Sequence, residues 1–165
     1  MKGQPQVAAP EEELTTDTEP DGSGWAMKLA GVQTPAAAVT GRLHGQPFKV
    51  DKVTLENGWL NFLQGRDFIA DREIDVVVFE PDTAKLSGRT FIFPKEEFGT
   101  SPHIWLKWKE AAGDMPKQRG FVDRYALRLE FGKLSAGKLP GKIYLCLPDK
   151  EKSFVAGTFE AQVKP

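Results

Sequence analysis

The segment Val53-Thr54-Leu55-Glu56-Asn57-Gly58-Trp59-Leu60-Asn61-Phe62 constrains the fold more than any other part of the chain. Asn-Gly accepts two successive positive φ angles, the conformation of a type I′ turn joining adjacent strands. With Asn57-Gly58 as the loop, Leu55 pairs with Leu60 and Val53 with Phe62, and these four share one face. Glu56, Trp59, Thr54 and Asn61 share the other. A slip of one residue would exchange the two sets, so the pattern itself sets the register.

The remaining chain repeats this grammar. Strands are expected at 74–79, 89–93, 104–108, 124–131, 142–147 and 158–163. In 124–131, Tyr125, Leu127, Leu129 and Phe131 alternate with Ala126, Arg128 and Glu130. In 142–147, Ile143, Leu145 and Leu147 alternate with Tyr144 and Cys146. A period of two means one buried and one wet face, as in antiparallel sheets. No window holds an apolar stripe of helical period, and 108–113 is the best helical candidate, a turn or two in length. The expected fold class is all-β, an antiparallel β-sandwich of about 8–10 short strands with little helix, preferred over a barrel because the strand lengths vary.

The chain of 165 residues suits one domain. Residues 1–24 carry Lys2 against Glu11, Glu12, Glu13, Asp17, Glu19 and Asp21, with Val7 and Leu14 as the only large apolar side chains after Met1. Such a segment cannot offset its ordering entropy by burial and is expected to be a disordered acidic tail or linker, with the domain at 25–165. The formal net charge of −1 gives no footprint for nucleic acid. No apolar run approaches the roughly 20 residues that span a bilayer. Met1-Lys2-Gly3 leads into polar sequence with no signal peptide. The Gln/Pro/Ala/Glu/Thr-rich stretch reads as a spacer following a removed export signal or lipid anchor, so an extracytoplasmic bacterial protein is expected.

Two internal echoes stand out. Residues 76–98 and 127–154 both read as strand, then Lys-Leu-x-Gly-basic (85–89 and 138–142), then strand and proline. Either an ancient duplication or reuse of one hairpin chemistry explains this. Val39-Thr40-Gly41-Arg42-Leu43 likewise echoes Val155-Ala156-Gly157-Thr158-Phe159.

Residues that do enzyme work are sparse. His44 and His103 are the two histidines and neither lies in a ligand motif. The chain has no nucleophile elbow, phosphate loop or dinucleotide fingerprint, and no cofactor is expected. Cys146, the single cysteine, forms no intrachain disulfide and is expected to be a small structural side chain. Asp67, Asp71, Glu73 and Asp75 alternate as Ca²⁺ ligands can, but Arg66 and Arg72 interleave them and favour a charge-balanced face.

The stretch from His103 to Lys109 is the most suggestive. As a strand it puts Ile104, Leu106 and Trp108 toward the core and His103, Trp105, Lys107 and Lys109 outward. Trp59 falls on the outer face of its own hairpin. Trp59, His103, Trp105 and Lys107 are therefore the candidate ligand-binding residues. Exposed indoles stack on sugar rings, and basic neighbours would suit an acidic polysaccharide. The plainer alternative is that loops at 95–102 and 110–120 cover both indoles as a second small core. The functional expectation is a non-catalytic binding or accessory domain with a polysaccharide or protein partner. Its rivals are a carbohydrate-binding module and an enzyme with a dispersed acidic site.

Overall fold

The computed structural model describes residues 24–94 and 101–164. The expectation for the acidic tail lies, apart from Gly24, outside the described residues. Eleven strands follow in chain order: β1 (Thr40–Leu43), β2 (Gln46–Lys49), β3 (Lys52–Glu56), β4 (Trp59–Gln64), β5 (Arg72–Val77), β6 (Thr90–Phe93), β7 (His103–Trp108), β8 (Lys117–Phe121), β9 (Ala126–Phe131), β10 (Lys138–Cys146) and β11 (Phe154–Val163). The fold is all-β. Hydrogen bonds link the strands into one curled mixed sheet, in the order β6-β9-β10-β11-β3-β4-β5-β7-β8, with β1 and β2 branching from β11. Every pairing is antiparallel except β11 with β3, where Gln162 meets Thr54 and Val163 meets Leu55.

The hairpin that set the register is present. Asn57 and Gly58 have φ of 52° and 80°. Leu55 opposes Leu60 and Val53 opposes Phe62, and all four are buried. Inward side chains from both arms of the curl form a single hydrophobic cluster, with Phe62 of β4 meeting Phe159 of β11 edge-on at 5.1 Å.

A second cluster lies on the outer face of β9–β11. Residues 25–32 cross it as a strap. Trp25, fully buried, donates from Nε1 to Leu147 O at 2.8 Å, and Ala26 N donates to Cys146 Sγ at 3.4 Å. Tyr144 Oη donates to Gly24 O. Arg128 donates to the carbonyls of Leu29 and Val32 and to Thr34 Oγ1. The outward alternate residues Ala126, Tyr144 and Cys146 are thus buried under the strap.

Two expectations are corrected. Residues 108–113 form no helix, because Lys109 N donates to Asp71 O and extends the β5–β7 ladder. Among the described residues the helical element is a 3₁₀ turn, Thr83–Leu86, capped by the Asp82 side chain accepting from Ala84 N. The 76–98 and 127–154 echo does not encode one shared hairpin. β9 pairs with β10, whereas β5 pairs with β4 and β7, and β6 crosses over to β9. Lys85–Arg89 spans the 3₁₀ turn, while Lys138–Lys142 is extended within β10. What the two copies share is a buried leucine, Leu86 or Leu139. The second echo joins strands that touch. β1 pairs with β11, and a Cβ on Gly41 would sit 1.9 Å from Phe154 O, while one on Gly157 would sit 2.5 Å from Ala37 O. Glycine at both positions lets the two backbones close.

Gly58→Val is expected to cost about 1 kcal/mol or more, from its positive φ and from a Cβ that would lie 3.0 Å from Glu80 O. An unchanged urea midpoint would refute the turn's role. The Cys146 thiol, fully buried beneath the strap, should react with Ellman's reagent only as fast as the protein opens.

Candidate functional site

The pairing registers assemble three rows on the outer face of the second arm. One row reads Glu56, Trp59, Val77 and His103. The next reads Thr54, Asn61, Asp75, Trp105 and Gly120. The third reads Lys52, Leu63, Glu73, Lys107 and Gln118. All four candidate residues from the sequence therefore share one face. Trp59 and His103 stand two strands apart, about 10 Å.

The apolar members remain partly open. Trp59 is 40% exposed and Phe79, just past β5, is 48% exposed. Phe79 holds a φ of 57°, a conformation that bulky side chains rarely adopt. Its ring meets His103 edge-on, 4.8 Å between centroids. Trp105 is half-buried, so it belongs to neither a sealed core nor a bare surface. Its indole leans over Gly120 of β8, where a Cβ would lie 2.9 Å from the ring's Cζ3 and 3.0 Å from Cη2. Beside it runs a groove of about 430 Å³ lined by His103, Trp105, Gln118, Gly120 and Val122. That is within the size range of small-ligand sites.

Under this aromatic layer lies a charged one. Asp75, fully buried on the outer face, accepts from Asn61 Nδ2 at 2.6 Å, and Thr54 Oγ1 donates to Asn61 Oδ1 at 3.2 Å. Lys107 Nζ lies 3.0 Å from Asp75 Oδ2 and 3.7 Å from Glu73 Oε2. The close contact to Oδ2 is electrostatic, without the alignment of a hydrogen bond. Burial, aided by a hydrogen bond and repulsion from Asp75, pushes Glu73 up to about 8, against the opposing pull of Lys107. Glu73 thus holds its proton to higher pH than an ordinary carboxyl. For Lys107, burial works to lower the ammonium pKa, but attraction to Asp75 and then Glu73 outweighs it, and the net shift is upward.

The acidic row resolves into counter-ions. Asp75 is the counter-ion of Lys107, and the Glu73 carboxyl lies beside them, 3.7 Å from Nζ. Asp71 lies 3.4 Å and Asp67 4.0 Å from Lys109 Nζ, which also donates to Ile69 O. Among the described residues no group of three or more His, Cys, Asp or Glu side chains is placed to hold a metal ion. The other histidine, His44, stacks on Trp108 at 4.0 Å, tying the β1–β2 turn to the end of β7. Sequence reasoning missed Asn61 and Gly120, because their partners Asp75 and Trp105 become neighbours only through cross-strand register. It also missed Phe79, which lies just past the end of β5 and stays half-exposed.

The Glu73 shift has a signed consequence. The unfolded carboxyl loses its proton near 4.5, whereas the folded one keeps it to about 8. Folding therefore takes up a proton in that window, and stability falls as pH rises through it. Asp149, pushed upward by its own burial, acts in the same direction. Melting temperature should drop from pH 5 to 8, and Glu73→Gln should flatten part of that slope. A variant slope equal to that of the parent chain would show that Glu73 is ionised throughout.

No helix among the described residues is long and apolar enough to cross a membrane. No protein-family description, no curated protein and no solved structure matches the chain.

Proposed function

We propose that the chain is a non-catalytic binding domain that holds a carbohydrate on the outer face of β4, β5, β7 and β8. The observation that carries this reading is the pairing of partly exposed aromatic rings with fixed polar groups directly beside them. Trp59, Phe79, His103 and Trp105 offer ring faces and edges to a flat, partly apolar ligand. Asn61, Glu73, Lys107 and Gln118 supply donors and acceptors on the adjoining rows. An exported accessory module would use such a surface for attachment to a polysaccharide.

The binding reading is favoured over an enzymatic one by the carboxylates themselves. Glycoside hydrolysis places a substrate bond between two carboxyl groups roughly 5 Å or more apart. Glu73 and Asp75 both turn to Lys107 Nζ, at 3.7 Å and 3.0 Å, and Asp75 has no exposed surface, so no substrate bond is held between them.

Trp105→Ala should weaken glycan binding about tenfold, on the scale of 1–2 kcal/mol for a stacked ring, by analogy with aromatic pairs. Gly120→Ala should weaken it too, because a methyl at that position displaces the indole, and should shift the tryptophan emission. Titration calorimetry against a panel of oligosaccharides is the measurement. Unchanged affinity in both variants would remove the Trp105 face from the reading.

A further inference from the structure

We propose that the glycan taken by the Trp59–Trp105 face is uncharged, and that the face discriminates against acidic polysaccharides. This rests on the binding reading above and names its ligand class. Sequence alone pointed the other way, since Lys107 and Lys109 flank the outward indole and looked like anchors for an anionic polymer.

The ion pairs reverse that expectation. An acidic glycan needs positive charge that is not already committed. Lys107 is the ammonium at the centre of the face, and two carboxyl groups hold it, Asp75 Oδ2 at 3.0 Å and Glu73 Oε2 at 3.7 Å. Lys109 is turned to Asp71, Asp67 and the Ile69 carbonyl. At the β8 side, Lys117 faces Glu110 at 3.4 Å, Arg124 approaches Asp123 at 4.0 Å, and Arg119, which lines the groove, stacks over the Phe121 ring at 4.6 Å. Lys52 stands at the far end of the third row, across Leu63 from Glu73 and about 10 Å away. The trio of Lys107, Asp75 and Glu73 sums to zero with Glu73 protonated and to one negative charge with it ionised. In the first state it carries no net charge to draw a carboxylate or sulfate, and in the second its net charge repels them.

The same trio suits hydroxyl groups. A sugar hydroxyl is both donor and acceptor, and the row offers both within one strand spacing. Glu73 and Lys107 are partly exposed there, with Gln118 as the next residue along the row. Asp75 lies beneath, fixed by the amide of Asn61 at 2.6 Å, and holds Lys107 at 3.0 Å, so the ammonium is positioned before a ligand arrives. The braced Trp105 ring lies one row away and supplies the apolar contact for the C–H face of a pyranose.

The test uses the full chain and matched oligosaccharides: cellohexaose, xylohexaose and mannohexaose as uncharged probes, and hexagalacturonate as the acidic one. Affinity is measured by calorimetry at 50 and 500 mM NaCl, with Trp105→Ala as the control for the face. The proposal expects at least one uncharged hexamer to bind, with less than a twofold change across the salt range. It expects hexagalacturonate to bind at least tenfold more weakly, and Trp105→Ala to lose the uncharged ligand. Binding of hexagalacturonate that Trp105→Ala abolishes and salt weakens tenfold would overturn the charge argument while leaving the face as a binding site. Failure of every hexamer to bind, with the variant and parent indistinguishable, would overturn both.

Discussion

Continuity of the sheet depends on a two-residue parallel seam. β11 is flanked on one side by β10 along its whole length, while its other side is divided. Its first part takes β1, through Thr40, Gly41 and Arg42, and its end takes β3, through Gln162 with Thr54 and Val163 with Leu55. Lys164 N adds a bond to Leu55 O at 2.9 Å. A strand cannot hold two neighbours on one side at the same height, so β1 and β3 succeed each other along β11 and the sheet forks. Gly41 and Gly157 make the first half of the fork possible by letting the backbones meet without side chains between them. The second arm, with every row of the candidate site, hangs from the other half.

That geometry explains how an ordinary alternating pattern generates an unusual outer face. Once β3 is fixed at the seam, the Asn57-Gly58 turn fixes β4, and antiparallel pairing carries the register through β5, β7 and β8. Each strand contributes an inward residue to the common core and an outward residue to a row. The row Thr54, Asn61, Asp75 and Trp105 is therefore a cross-strand ladder of side chains, polar for three strands and aromatic at the fourth. Cross-strand neighbours on one face lie close enough to bond. This is why Asp75, although outward, finds Asn61 on one side and Lys107 beside it.

Much of this was legible in the chain. The hairpin register followed from one dipeptide and four apolar residues, and strand alternation identified which face of β7, β9 and β10 is inner. Trp59 and Trp105 were each legible as outward on their own strands, since a period of two is a local property, whereas the pairing of β4, β5 and β7 is what brings them to one face. What was hidden was pairing between distant segments. β8, Lys117-Gln118-Arg119-Gly120-Phe121, has little apolar alternation because it is an edge strand with one partner, β7. The strap from Trp25 to Val32 forms no strand. It is ordered by contacts more than 90 residues away, such as Trp25 with Leu147 and Arg128 with Val32. The charge on Lys107 looked available because its neutralisers lie on β5, some thirty positions earlier.

Several features that cost stability lie on the outer face of β4, β5 and β7. Burying Asp75 removes a carboxylate from water, and a lysine contact without hydrogen-bond alignment recovers only part of that loss. Glu73 holds a proton that it would release in the unfolded chain. Phe79 occupies a backbone region that disfavours bulky residues, and Trp59 leaves much of an indole in water. A face selected for stability alone would replace Asp75 and Lys107 with an apolar pair and tuck the rings inward. The opposite end of the same sheet comes nearer to this: on β9–β11, Trp25 and Met27 of the strap cover the outward side chains Ala126, Tyr144 and Cys146. One molecule thus has two outer faces built from the same alternation, one closed by its own chain and one left open above an ordered polar layer. The buried Asp75, the positive φ of Phe79 and the half-open Trp59 all lie on the open face, which is the arrangement the proposed binding surface requires.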